Sequence, residues 1–131
     1  MVEKMTDMNT LFQSADWKTE KHAPVIEVSK KDGYYWIDVS VGKEIAHPNT
    51  TAHHIRWIQL LFHPEGSKFP FEVGKVTFDA HGESPEGPDT STVFTEPRGH
   101  FALKIGKPGQ LIGLSYCNIH GLWRSTINLN L

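Results

Sequence analysis

The chain has 131 residues and a mass of 14.8 kDa, enough for one domain that buries roughly two-thirds of its unfolded surface. A formal charge of -2 and a pI near 6.4 leave no basic footprint for nucleic acid, and no apolar run approaches the ~18 residues of a membrane span. The single cysteine, Cys117, rules out an intrachain disulfide, and the polar start lacks the apolar core of a secretory signal, so the expected setting is reducing and cytoplasmic.

Residues 1–16 read as a loosely ordered lead, with one short helical turn expected over Thr10 to Trp17. A polar loop, Lys18 to His22, follows and ends at Ala23-Pro24, where the proline drives its predecessor into an extended conformation. From Val25 onward the chain alternates short β-type runs with turn signals. Val25 to Lys30 and Tyr34 to Val41 flank the hairpin-type turn Lys31-Asp32-Gly33. Gly42 to Ala52 is a polar loop, and His53 to Phe62 carries large apolar groups on both faces, as a central strand does. Phe69 to His81 is long enough for a bent strand with a bulge at Gly74. A glycine- and proline-rich loop over Gly82 to Asp89 precedes further strands at Thr90 to Thr95, His100 to Ile105, Leu111 to Tyr116 and Leu122 to Leu131. Short strands without a long helix predict an all-β, antiparallel sandwich of about seven strands, with residues 1–131 forming one domain.

Chemistry concentrates in Ser115-Tyr116-Cys117-Asn118-Ile119-His120-Gly121-Leu122-Trp123. A thiol and an imidazole three residues apart, on a turn that Gly121 allows to close, can reach one metal ion. A lone cysteine ordinarily packs as a small hydrophobe, and most of the eight histidines need no special role. The joint pattern argues otherwise: His22, His47 and one of the pair His53 and His54 stand at loop ends or strand starts. Alternation allows only one of that pair to face a site and does not say which. Four imidazoles and one thiolate exceed a closed tetrahedral zinc site, whereas five ligands leave one octahedral position free, as a catalytic iron needs. His63, His81 and His100 sit beside turns or in ordinary strand positions and are read as structural.

Four ordered blocks, Glu20 to Ile26, Gly42 to Trp57, Ala80 to Ser84 and Ser115 to Trp123, resemble the signature blocks of the superoxide reductases, specifically the one-iron, neelaredoxin-type branch. The resemblance spans the chain from about Trp17 to Trp123. It implies an immunoglobulin-like β-sandwich holding one mononuclear non-haem iron that cycles between Fe2+ and Fe3+. It implies His22, His47, His53 and His120 as equatorial ligands and Cys117 as the axial thiolate, with His120 binding through Nδ1 and the other rings through Nε2. It also implies that Glu20 can reach the sixth position in the ferric state. Lys21 is the candidate positive charge for an anionic substrate, and the N–H groups of Ile119 and His120 are candidate donors to the sulfur. The implied activity is one-electron reduction of superoxide to hydrogen peroxide, with a rubredoxin-like electron donor and a homodimer or homotetramer as the assembly. Ala23 and Ala46 depart from the valine and proline usual in the family, and no cysteines exist for the second iron domain of the desulfoferrodoxins. The rival reading is a cupredoxin-like copper electron carrier, which is weakened because every methionine (Met1, Met5, Met8) lies far from Cys117 in sequence.

Overall fold

The computed structural model describes residues 5–131. Seven strands run in chain order as β1 (Val25–Lys31), β2 (Tyr34–Ser40), β3 (Ile55–Pro64), β4 (Phe71–Thr77), β5 (Arg98–Leu103), β6 (Gly109–Cys117) and β7 (Gly121–Leu129). They form two antiparallel sheets, one of order β1-β2-β5 and one of order β4-β3-β6-β7. The predicted immunoglobulin-like sandwich is the architecture found.

Alternation decides which side chains meet between the sheets. Tyr35, Ile37 and Val39 of β2 point inward against Ile58, Leu60 and Phe62 of β3 and Leu111 and Cys117 of β6. Val39, Ile58, Leu60 and Leu111 are wholly buried, so truncating Ile58 or Leu60 to alanine costs about 2–5 kcal/mol. The β1–β2 hairpin turns on Asp32 and Gly33, both at positive φ (55° and 79°), the pair that a two-residue turn with the native strand twist requires. The expected bulge lies on β4: Leu60 pairs with Gly74 and Leu61 with Glu72, leaving Val73 as the extra residue.

Four expectations need correction. Thr90 to Thr95 is no strand, because its backbone is satisfied locally: Thr90 and Ser91 both donate to the Gly82 carbonyl, and only the His81–Phe94 bridge is β-like. β4 ends at Thr77 instead of His81, and β3 starts at Ile55, two residues after His53. The helical turn lies at Met8–Leu11, ahead of the predicted position, because the Asp7 carboxylate caps it by accepting from the Asn9 N–H at 3.0 Å. Residues 1–4 of the lead lie outside the described residues. Its later part is tied down, since Gln13 pairs with β7, donating from its N–H to the Leu122 carbonyl and accepting from the Arg124 N–H.

The topology brings three connections to one end of the sandwich: the segment entering β1, the β2–β3 loop and the tight β6–β7 turn. These carry His22, His47 with His53, and Cys117 with His120.

Candidate metal centre

The β6–β7 turn closes at Gly121, whose φ of +82° is the left-handed conformation anticipated for it. This folds His120 back over Cys117, and the His120 N–H donates to Sγ at 3.3 Å. Cys117 is completely buried at the end of β6, where it pairs with Ile55 of β3. The β2–β3 loop leaves through Gly42 at φ +88°, and a Cβ there would lie 2.6 Å from the His47 backbone nitrogen, so only glycine lets the chain pass His47 this closely. The loop returns in a turn of its own, in which the Thr50 N–H donates to the His53 carbonyl at 2.9 Å and the His53 N–H donates to Thr50 Oγ1 at 3.0 Å.

Four imidazoles form a closed circuit at this end of the molecule. The ring centroids of His22 and His47, His47 and His53, His53 and His120, and His120 and His22 lie 4.8, 4.8, 5.0 and 4.7 Å apart. The diagonal from His22 to His53 is longer, at 6.5 Å. One nitrogen from each of His22, His47 and His53, together with Cys117 Sγ, falls within 4.8 Å of all the others, a cluster that could hold a metal ion. His120 joins it through Nδ1, which lies 3.1 Å from His22 Nε2 and 3.8 Å from Sγ. His54 is turned away: its Nδ1 bonds the Thr50 carbonyl at 2.9 Å, and its ring stacks on His81 with centroids 3.5 Å apart.

The hydrogen bonding fixes which nitrogens face inward. His47 Nδ1 bonds the Pro48 carbonyl at 2.7 Å, so the proton sits there and Nε2 presents a bare lone pair. The Nε2 atoms of His47 and His53 are buried and have no hydrogen-bond partner among the described residues. Two buried nitrogens without partners beside a buried thiol are costly unless a cation satisfies them, and a metal ion would do so. Burial pushes the His47 pKa down to about 4, the Pro48 bond opposes this, and the charges of His22, His53 and Lys21 push the same way. Burial likewise lowers that of His53, aided by His120, His22 and Lys21. His47 is thus held neutral, and burial favours the neutral form of His53 as well, the form that binds metal.

Glu20 sits behind His22. One carboxylate oxygen pairs with His22 Nδ1, and the other accepts the N–H groups of His22 (2.5 Å) and Ala23 (3.0 Å). Burial raises its pKa, but these bonds outweigh it and the net shift is downward. In this conformation Glu20 orients His22 and does not reach across the ring circuit. Lys21 is half-buried, and among the described residues its ammonium has no hydrogen-bond or salt-bridge partner. Of the two expected donors to sulfur, only the His120 N–H makes the bond among the described residues.

Sequence reasoning missed two supports. The Trp123 indole stacks on His22, and the Gln13 side chain donates to the His120 carbonyl at 2.7 Å. Trp123 ends the quoted motif block, whereas nothing near Gln13 signals a contact 107 residues away.

The sequence pattern of the Desulfoferrodoxin family matches residues 14–126. The chain belongs to the desulfoferrodoxin family. It is 57% identical over 118 residues to the superoxide reductase of Pyrococcus furiosus, covering 90% of this chain and 95% of that one. It is 56% identical over 126 residues to the neelaredoxin of Megalodesulfovibrio gigas, covering 94% and 95% of the two chains. The solved structure of the reduced superoxide reductase (neelaredoxin) from Archaeoglobus fulgidus superposes with a TM-score of 0.90 at 60% identity, covering 92% of this chain and 99% of that one. These relatives place the chain on the superoxide reductase branch of the family. No helix among the described residues is long and apolar enough to cross a membrane.

Proposed function

We propose that this protein is a superoxide reductase, converting superoxide, one electron and two protons into hydrogen peroxide at a mononuclear iron. His22, His47, His53 and His120 would supply four imidazole ligands and Cys117 a thiolate, with the bond from the His120 N–H moderating the electron density that the sulfur donates. Held by these residues, an iron would supply the electron for the reduction. The carrying observation is the pair of partnerless, buried Nε2 atoms of His47 and His53 beside a completely buried thiol.

The other residues serve an anionic substrate. The unpaired ammonium of Lys21 draws superoxide toward the ring circuit, which His120 leaves accessible because it is exposed. Glu20 holds His22 in place, and reaching the sixth position would require it to release three hydrogen bonds. The copper alternative is disfavoured by the donor set, because four imidazoles surround the thiol while Met5 and Met8 are exposed on the lead and Met1 lies outside the described residues. Residues 1–131 are read as one domain, a reading supported by a core that both sheets share. A rubredoxin-like electron donor, a cytoplasmic location and a homodimer or homotetramer complete the proposal. The lone thiol supports a reducing compartment, and the edges β1, β5 and β4 leave strands free for assembly, β7 being partly covered by Gln13.

Metal analysis tests the whole reading. The purified protein should carry iron, develop a visible thiolate-to-iron band on oxidation, and yield peroxide from superoxide without releasing oxygen. Cys117→Ser should abolish the band. Copper, or an absence of metal in protein grown with ample iron, would overturn the assignment.

A further inference from the structure

β3 and β6 pair in register from Pro64 and Gly109 to Trp57 and Tyr116, skip Arg56, and make their last pair at Ile55 and Cys117. Just beyond it, the His53 loop and the Cys117 turn must still be held in register, and one side chain spans the gap. Asn118 Oδ1 accepts the His54 N–H at 2.9 Å, and Asn118 Nδ2 donates to the Ala52 carbonyl at 2.9 Å. The backbone adds a third bond, from the Asn118 N–H to the His54 carbonyl at 3.2 Å. The carboxamide therefore grips the residues immediately before and after His53, while its own Cα follows Cys117 directly.

We infer that Asn118 is a positioning residue that sets the distance between the His53 imidazole and the Cys117 thiol. The inference rests on the reading that these two side chains share one iron. A carboxamide suits the task because it offers a donor and an acceptor on one short, uncharged group. Alanine offers neither. Aspartate keeps the shape and the acceptor, but it turns a second oxygen toward the Ala52 carbonyl. Groups that hold metal ligands in place typically govern metal affinity by about 10–100-fold, although they never touch the ion.

The test uses iron-loaded protein and two readouts other than turnover: the rate of iron release to a ferrous chelator and the position of the thiolate-to-iron band. Asn118→Ala should release iron about tenfold faster than wild type and shift the band. The control is Leu111→Ala, a core truncation at the opposite end of β6 from Cys117, which should lower thermal stability without either change. Should Asn118→Ala not fold, Asn118→Asp gives the same readouts and should also release iron faster. Release and band unchanged from wild type, or altered no more than in a Leu111→Ala control of equal thermal stability, would overturn the inference. A wild-type protein that shows no iron band would instead remove the metal reading on which it stands.

Discussion

The indole of Trp123 lies parallel to the imidazole of His22, with ring centroids 4.8 Å apart and planes 10° from parallel. Trp123 is only 8% exposed, and its Nε1 is buried without a partner among the described residues. The ring thus serves as a flat wall against His22 while its polar atom goes unused. An unsatisfied buried donor costs about 1–3 kcal/mol, so removing it offsets part of the packing lost with the smaller ring of phenylalanine. Trp123→Phe should change stability by no more than about 1 kcal/mol, whereas Trp123→Ala should cost about 3–5 kcal/mol. Urea unfolding of both variants checks this. A large loss in the phenylalanine variant would mean that the indole N–H has a partner after all.

Glu20 acts on the same histidine at its edge, through Nδ1. Its carboxylate fixes the ring through Nδ1 and ties down the chain at the His22 and Ala23 N–H groups. Glu20→Ala should weaken iron binding about tenfold, through a freed His22 ring, without removing any ligand. Competition against a calibrated chelator measures it. Unchanged affinity would show that stacking on Trp123 alone suffices to hold the imidazole.

The metal-free protein should be acid-sensitive in a defined window. Burial holds His47 at a pKa of about 4, against 6.5 for an ordinary histidine. Between these values the unfolded chain binds a proton that the folded chain refuses, so stability falls as pH drops through 6.5 toward 4. Below 4 both states are protonated and this contribution levels off. Urea midpoints of metal-free protein between pH 7.5 and 4 should show the decline, and His47→Asn should flatten it. A midpoint independent of pH across that range would contradict the burial assigned to this ring.

The convergence of these side chains was legible because the signal lay in residue type and position: imidazoles at loop ends and a thiol on a turn closed by glycine. Strand alternation could not choose between His53 and His54, because neither belongs to a strand. The Thr50 turn and the Asn118 bracket place His53 in the cluster and turn His54 onto His81. Thr90 to Thr95 misled for a related reason. Its β-branched residues fit a strand, but the Thr90 N–H bonds the Gly82 carbonyl, the Val93 N–H bonds Ser91 Oγ and the Thr95 N–H bonds the Ala80 carbonyl, none of them in a sheet. The orientation of Glu20 was likewise beyond the sequence, since a carboxylate two residues from a histidine can face the ring or turn from it.

Lys21 carries the prediction that most directly concerns the substrate. Its ammonium stands one residue from His22, and its charge is felt at both His47 and His53, whose pKa values it helps to lower after burial has done the larger part. An unpaired cation beside a partly open site raises the local concentration of a small anion, and salt screens that attraction over a Debye length of ~8 Å at physiological ionic strength. Lys21→Ala should therefore slow the second-order reaction with superoxide about tenfold and flatten its dependence on ionic strength, with iron content and the visible band unchanged. Pulse radiolysis across a salt series gives both the rate and its slope. Lys21→Arg, which keeps the charge, should retain most of the rate. If Lys21→Ala reacts as fast as wild type with the same salt slope, the attracting charge lies elsewhere on the surface.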